Sequence, residues 1–227
     1  TKAKNVLVMN NAYHGHTNSL IDLSPYKFNS KGGEGKKDYV HVLRMPDEIR
    51  GKWTNKNYKW VNKYIDEAED VISKTFNKKN SLSSFFFESI LGCGGQIELP
   101  KGYLKNIFKL VRKKNALCIA DEVQTGFGRV GSNFWAFQEH GIVPDIVTLG
   151  KPMGNGHPIA AVVTTKKIAD TFNNGMEYFN SFGGNPVSCA VGNAVLDVIE
   201  KDNLQKNSKV VGDYFLKKLK QIQKKIS

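Results

Sequence analysis

The sequence predicts an α/β protein with a mostly parallel sheet flanked by helices. Short apolar runs bounded by turn residues alternate with longer segments of helical period. The apolar runs are hydrophobic on both faces, as strands covered by helices require. No repeat or low-complexity tract interrupts this alternation. Together these observations favour the βαβ order of a parallel sheet.

The predicted strands are short, and each is bounded by turn residues: Asn5 to Met9, Ser84 to Phe87, Ala116 to Ala120, Asp145 to Leu149 and Ile159 to Thr164. The predicted helices are longer: Tyr58 to Thr75, Gly102 to Lys114, Pro186 to Glu200 and Asn203 to Lys225. Proline suits the first turn of the third helix, where a missing N–H costs nothing. Residues 24–57 are rich in glycine, lysine and asparagine, and we predict a loop that covers a site.

Composition excludes several classes of protein. The 227 residues are 40% hydrophobic and 24% charged, which is typical of a globular chain. No apolar run has the length of a membrane span and no signal peptide is recognisable, so we expect a cytoplasmic protein with no membrane partner. The net charge is +12, but the lysines are scattered among asparagines and acids. We therefore expect no nucleic-acid partner.

Disulfide frameworks and metal sites are also not expected. The three cysteines, Cys93, Cys118 and Cys189, show neither CxxC spacing nor neighbouring histidines. His14 and His16 have no third ligand spaced with them.

Asp121 ends the predicted strand in the stretch LCIADEV. Side chains alternate faces along a strand, so Asp121 and Val123 are expected on one side and Glu122 on the other. A carboxylate there can bind a ring nitrogen while the branched side chain packs on the ring, and Gln124 could donate to a ring hydroxyl. The alternative is a helix cap or a strand end that meets solvent.

Lys151 follows an apolar strand in TLGKPMGNGHP, at the sheet edge where parallel sheets bind ligands. An amine for a Schiff base and an acid for a pyridinium nitrogen are the protein groups that pyridoxal-phosphate chemistry requires. Lys151 and Asp121 supply that pair. A surface charge is the alternative, whereas a phosphate-binding GK loop fails because Asp145 and Pro152 occupy positions that need glycine and Ser or Thr.

Tyr13, His14 and Gly15 follow the first strand and form a second candidate group. Tyr13 could stack on a cofactor, and Gly15 allows close backbone approach. The alternatives are a core tyrosine and a histidine with an ordinary structural or solvent-facing role.

Two further positions complete the candidates. Ser181 lies in SFGGNP before a helix, which offers a hydroxyl, backbone N–H groups and a helix dipole to a phosphate. Glu88 ends a strand in FFFESILGCGGQ, either as part of the site or as an exposed acid at a strand end.

Taken together, four segments resemble the class III aminotransferase family of fold-type I pyridoxal-phosphate enzymes. They are YHG at Tyr13, ADEVQTGFGR at Ala120, LGKPMGNGHP at Leu149 and SFGGNP at Ser181. AYHGHTNSLIDLSPYKF, FFFESILGCGGQIELPKGY and FNSFGGNPVSCAVG are similar to the alanine-glyoxylate-aminotransferase-2-like branch, which contains ethanolamine-phosphate and phosphohydroxylysine phospho-lyases.

The resemblance implies pyridoxal 5'-phosphate as cofactor and assigns roles to residues. Lys151 and Asp121 are the implied catalytic residues, as Schiff-base lysine and partner of the ring nitrogen. Tyr13 would stack on the ring, Val123 would pack on its opposite face, and Gln124 would contact the phenolic oxygen.

The remaining implied contacts involve a second subunit. His14 and Gly15 join Tyr13 as cofactor-binding residues, and Glu88 would support the phenolic side. Ser181 would reach the cofactor phosphate of the neighbouring subunit, since the family's site lies at the interface of a homodimer or a dimer of dimers. Threonine is usual at the position of Ser181, and serine keeps the hydroxyl.

Residues 1–227 are expected to be a partial large domain. The family's N-terminal phosphate-binding turn would precede Thr1, and residues 203–227 would form a helix leading towards a missing small domain. The branch favours a phospho-lyase that eliminates phosphate from an amino-phosphate such as phosphoethanolamine. The family as a whole favours a transaminase with an acceptor such as pyruvate or glyoxylate. A third interpretation is an inactive or partner-dependent fragment.

Overall fold

The structure is a computed structural model that describes residues 2–226. It divides into two compact units. The first contains the chain up to Asp121 together with His140–Val147, and the second contains Glu122–Glu139 together with the chain from Thr148 onward.

The first unit contains most of the sheet. Its strands are β1 (Asn5–Met9), β2 (Val40–Leu43), β3 (Leu82–Glu88), the short β4 (Ile90–Leu91) and β5 (Ile97–Glu98), and β6 (Leu117–Asp121). Its helices are α1 (Asn18–Asp22), α2 (Pro25–Phe28), α3 (Trp60–Thr75) and α4 (Tyr103–Lys113). β4 and β5 form a separate antiparallel pair.

The main sheet has the strand order β2-β1-β3-β6-β7-β8, where β7 is Ile146–Leu149 and β8 is Ala161–Thr164. β1 pairs in parallel with β2 and β3, and β3 pairs in parallel with β6. In the last of these ladders Glu88 lies opposite Asp121, so both acids stand at the same carboxyl edge. The predicted α/β class with a mostly parallel sheet is confirmed.

Helices α3 and α4 contribute apolar faces to the core of the first unit. Tyr64, Ala68 and Ile72 recur every fourth residue of α3, and all are buried. Tyr103, Leu104, Ile107, Phe108 and Val111 form the buried face of α4. The sheet contributes residues such as Leu7, Phe85 and Phe87, which are fully buried. Burial of each such large side chain contributes roughly 1.5–3 kcal/mol.

The described part of the second unit contains β8, the end of β7, the α-helices α5 (Lys166–Phe172), α6 (Pro186–Lys201) and α7 (Leu204–Ile226), and a 3-10 turn at Lys151–Met153. Pro186 occupies the first turn of α6, as predicted. The Asn185 side chain caps this helix by accepting from the Ser188 N–H at 2.9 Å. None of the helices within residues 2–226 is both long and apolar enough to cross a membrane.

The predicted strands and helices are all present, with ends shifted by up to two residues. The prediction of a loop over residues 24–57 is wrong, because α2 and β2 lie within it. Val40 and Leu43 are buried where β2 pairs with β1, a partner more than thirty residues away in the sequence. Helices α1 and α5 and the β4–β5 pair were not predicted either.

Candidate active site

His14 and Asp121 form a buried pair at the carboxyl edge of the sheet. The His14 Nδ1 atom lies 3.0 Å from Asp121 Oδ2, and the two side chains are 0% and 7% exposed. His14 Nε2 is buried without a hydrogen-bond partner among the described residues. A buried N–H without an acceptor is costly, so this arrangement favours the tautomer in which Nδ1–H donates to the carboxylate.

The backbone of His14 is held by a residue that the sequence did not single out. The fully buried Ser24 Oγ accepts from the His14 N–H at 2.9 Å and donates to the Leu20 carbonyl at 2.6 Å. The only sequence signal was its place as the residue before Pro25, where serine commonly precedes a helix.

Glu88 is buried, so its interpretation as an exposed acid is wrong. The side chain is 3% exposed, Oε1 accepts from the Tyr13 N–H at 2.9 Å, and Oε2 accepts from the Gly92 N–H at 3.0 Å. Burial raises the pKa of this carboxyl group above its ordinary value. Glu88 therefore fixes the backbone of Tyr13. The role of Glu88 on the phenolic side of the cofactor stays a prediction.

Tyr13 presents a partly buried ring with two neighbours. Tyr26 meets it edge to face at 6.0 Å, and Lys27 Nζ lies 5.7 Å from its centroid. Gly15 has φ +135°, and a Cβ there would come within 2.6 Å of the Leu20 side chain. The backbone conformation therefore favours glycine at this position, whereas the contact is with the terminal methyl of a flexible side chain.

In the second unit, Lys151 lines an open cavity of about 370 Å3. The other lining residues are Val123, Gln124, Arg129, Pro152, Asn155 and Gly156. Lys151 is exposed, and its amine has no hydrogen bond or ion pair with any described residue. The φ of Lys151 is +24°, which is unfavourable for a residue with a side chain. Unfavourable backbone conformations of this kind are common at functional sites. An amine without a described partner thus shares this cavity with a branched apolar side chain and an amide, and the roles predicted for these residues stay predictions.

The loop after Lys151 is tied to helix α6. His157 Nε2 lies 2.8 Å from Ser188 Oγ, which also accepts from the Asn185 side chain at 2.9 Å. Gly154 permits this path, because a Cβ there would lie 2.0 Å from the His157 carbonyl.

Glu122 is a further residue that sequence reasoning missed. It is fully buried and accepts from the N–H groups of Ala136 and Phe137, each at 2.9 Å, and from Thr125 Oγ1 at 3.1 Å. These bonds hold Glu122 against residues 136 and 137, so they fix both ends of the segment that carries Val123 and Gln124. An acid after Asp121 gave no signal of this, because its partners lie up to fifteen residues away.

Ser181 is exposed in the turn before α6. The Asn180 side-chain oxygen accepts from the N–H groups of Phe182 and Gly183, at 3.1 and 2.9 Å. The turn thus already satisfies part of the N–H set that was expected to face a phosphate, whereas the Ser181 hydroxyl is exposed.

Each of the two units, taken by itself, contains residues that fit pyridoxal phosphate. The second unit provides an accessible amine in a cavity, and the first provides a buried carboxylate that contacts His14, the residue after Tyr13. No group of three potential metal ligands exists among residues 2–226.

Comparison with known proteins agrees with this chemistry. The family model described as aminotransferase class-III matches residues 1–227. The chain is 50% identical over 220 residues to an alanine–glyoxylate aminotransferase 2-like protein of Drosophila melanogaster, covering 95% of this chain and 44% of the relative. It is 41% identical over 236 residues to ethanolamine-phosphate phospho-lyase homolog 1 of Caenorhabditis elegans, covering 99% and 50%.

A solved phospholyase from Arthrobacter in complex with phosphoethanolamine superposes with a TM-score of 0.88 and 35% identity, covering 98% of this chain and 52% of that one. The chain spans about half the length of the curated relatives it matches.

Proposed function

Because this chain belongs to the class III aminotransferase family, we propose that it acts as a phospho-lyase that eliminates phosphate from an amino-phosphate such as phosphoethanolamine. The protein is a pyridoxal-phosphate-dependent enzyme. The observation that carries the proposal is the accessible, unpaired amine of Lys151 beside Val123 and Gln124. The choice of reaction is supported by the likeness to a phospho-lyase homologue and to a phospholyase bound to phosphoethanolamine.

Lys151 has two tasks in this proposal. Its amine would hold the cofactor covalently, Val123 would pack against the ring and Gln124 would contact the phenolic oxygen. With a substrate amine bound, the Lys151 amine would act as general base and take the proton from the carbon next to the substrate nitrogen. When bound, the cofactor supplies an electron-withdrawing ring that stabilises the charge left on that carbon.

The hydrogen-bonded Asp121 and His14 side chains form the part of the proposed site that would face the ring nitrogen. Asp121 would hold the proton on the ring nitrogen, and the Nδ1–H of His14 donates to the Asp121 carboxylate and orients it. Glu88 and Ser24 position the backbone of Tyr13 and His14, so the stacking ring does not depend on a mobile loop.

The outcome depends on what the substrate carries on the adjacent carbon. A phosphate there leaves when the carbon loses its proton, and no acceptor is needed. Transamination to an oxo acid such as pyruvate or glyoxylate is the second candidate, since the relative at 50% identity is named as an aminotransferase 2-like protein. Dependence on further chain or a partner is the third, since this chain spans about half of its relatives.

We further propose a homodimer or dimer of dimers, with Ser181 reaching the cofactor phosphate of the neighbouring subunit. Ser181 lies among exposed aromatic side chains, Tyr178, Phe179 and Phe182, which are 73% to 79% exposed. Exposed apolar groups of this kind are typical of interaction surfaces. The cytoplasmic location stays a prediction.

The test follows cofactor absorbance and phosphate release together after addition of phosphoethanolamine to the pyridoxal-phosphate-loaded protein. Phosphate release without an oxo acid supports the phospho-lyase. Turnover that requires pyruvate or glyoxylate, with no phosphate release, establishes the transaminase instead. Failure of the protein to take up the cofactor contradicts both.

A further inference from the structure

Lys27 holds a charged group beside the ring of Tyr13. The side chain is partly buried, and Nζ lies 5.7 Å from the ring centroid. Beyond this ring, no described residue offers its ammonium group a hydrogen bond or an ion pair. A partly desolvated cation without a counter-ion is unfavourable, so a bound anion would stabilise this position.

The segment that carries Lys27 is joined to the Tyr13 segment by one backbone–backbone and one backbone–side-chain hydrogen bond. The Tyr26 N–H donates to the Ala12 carbonyl at 3.1 Å, and the His14 N–H donates to Ser24 Oγ at 2.9 Å. These bonds join helix α2 to both sides of Tyr13. Pro25 and Phe28 are buried and anchor the same helix in the core. The segments that carry Lys27 and Tyr13 are therefore held together by these two hydrogen bonds.

Other lysine–ring contacts in the described chain are of a different kind. Lys59 lies over Tyr58 and Lys218 over Tyr214, so each ring is close in sequence and on the surface. Lys52 lies over the adjacent Trp53 and has an ion pair with Glu67. Lys27 instead meets a ring from another segment, next to the His14–Asp121 pair.

No described acid forms an ion pair with Lys27, and the two buried acids at the carboxyl edge have other partners. Glu88 directs its two oxygens to the N–H groups of Tyr13 and Gly92, and Asp121 Oδ2 faces His14. A positive group without a described counter-ion thus lies over the Tyr13 ring. Lysine binds phosphate as a point charge, and a phosphate monoester is a doubly charged partner for it.

We propose that Lys27 binds the phosphate group of the amino-phosphate substrate and thereby determines the substrate class. The inference deepens the proposed function and rests on it. A phosphate monoester could come from the substrate or from the cofactor. We assign the substrate's, because the cofactor's phosphate is proposed to meet Ser181.

The test is an equilibrium titration of the pyridoxal-phosphate-loaded protein with phosphoethanolamine and, separately, with ethanolamine. Amine binding is followed by the change in cofactor absorbance. Lys27→Gln should weaken phosphoethanolamine binding roughly tenfold or more and leave ethanolamine binding unchanged. Lys27→Arg should retain most of the affinity. Lys59→Gln removes an exposed lysine from a ring outside the site and should change neither titration.

Three results would overturn the assignment. Lys27→Gln could weaken both amines equally, which would make Lys27 a general support of the site. It could lower cofactor affinity alone, which would assign Lys27 to the cofactor's phosphate. The unmodified protein could also fail to prefer phosphoethanolamine over ethanolamine.

The titration separates this inference from the proposed reaction. If Lys27→Gln abolishes the preference for phosphoethanolamine but the unmodified protein releases no phosphate, anion recognition by Lys27 stands and the phospho-lyase reaction fails. If phosphate is released and the variant keeps the preference, the reaction stands and the role of Lys27 is wrong. Thermal unfolding of each variant confirms that it is folded.

Discussion

The Nδ1 atom of His14 lies 3.0 Å from Oδ2 of Asp121, and both side chains are withdrawn from solvent. This contact joins a turn after the first strand to the end of β6, which is 107 residues further along the chain. The acid that is expected to hold the cofactor nitrogen is thus oriented by the residue next to the expected stacking ring. The turn after β1 therefore contributes both the histidine that orients this acid and the tyrosine that is expected to stack on the cofactor.

Lys151→Ala should abolish the visible absorbance of protein-bound cofactor and lower turnover on the order of a thousandfold or more, because the attachment point and the general base are lost together. Spectra after removal of excess cofactor measure the first effect. Lys166→Ala is the matched control, since Lys166 is exposed and its one ion pair with a described residue is with Asp170. An unchanged absorbance in Lys151→Ala would refute the central assignment.

His14→Phe should reduce both stability and cofactor affinity. The ring packing against Phe86 can be retained, but the hydrogen bond to the buried Asp121 carboxylate is lost. Loss of such a bond costs roughly 1–3 kcal/mol. Urea unfolding and cofactor titration measure the two effects. His16→Phe, at a neighbouring exposed position, serves as control. Equal values for His14→Phe and the unmodified protein would show that the pair contributes nothing.

Glu88 should contribute a pH-dependent term to stability. The pKa of the Glu88 carboxyl group is raised in the folded state above its ordinary value of 4.5. At pH values between the ordinary and the raised pKa, the folded protein therefore binds more protons than the unfolded protein. Stability then falls as the pH rises through that window. Relative to Glu88→Gln, the unmodified protein should lose free energy of unfolding as the pH increases above 4.5. Urea unfolding curves that stay parallel over this range would contradict the prediction.

Glu122→Ala should destabilise the second unit by about 3 kcal/mol, because the N–H groups of Ala136 and Phe137 lose their acceptor. Chemical unfolding measures the loss. Glu177→Ala, at an exposed position without a described partner, should stay within about 0.5 kcal/mol of the unmodified protein. Glu122→Ala should also weaken cofactor binding, since Val123 and Gln124 lie on the same segment.

The parts of the fold that follow a local pattern were predictable. Strand β1 has the predicted bounds, and the carboxyl-edge positions of Asp121 and Lys151 follow from the apolar runs before them. Strand β2 was missed although Val40 and Val42 alternate with polar residues. Its four residues lie in a glycine- and lysine-rich setting, and they become a strand only through pairing with β1.

Site residues whose importance depends on distant contacts were not predictable. Glu122 resembles any second acid until Ala136 and Phe137 are brought to it. Ser24 and Lys27 likewise lie in a segment predicted to be a loop, and only the tertiary structure places them beside His14 and Tyr13. Local sequence encodes the strand ends, whereas chain folding selects which side chains meet there.

The two bonds that fasten helix α2 to the Tyr13 segment have a consequence for motion. The amides of His14 and Tyr26 each donate to the opposite segment, so neither can exchange its hydrogen with solvent until the segments part. Slow, matched exchange at these two amides would report a single opening event. Its frequency would then set how often the aromatic ring and the lysine ammonium lose their common alignment.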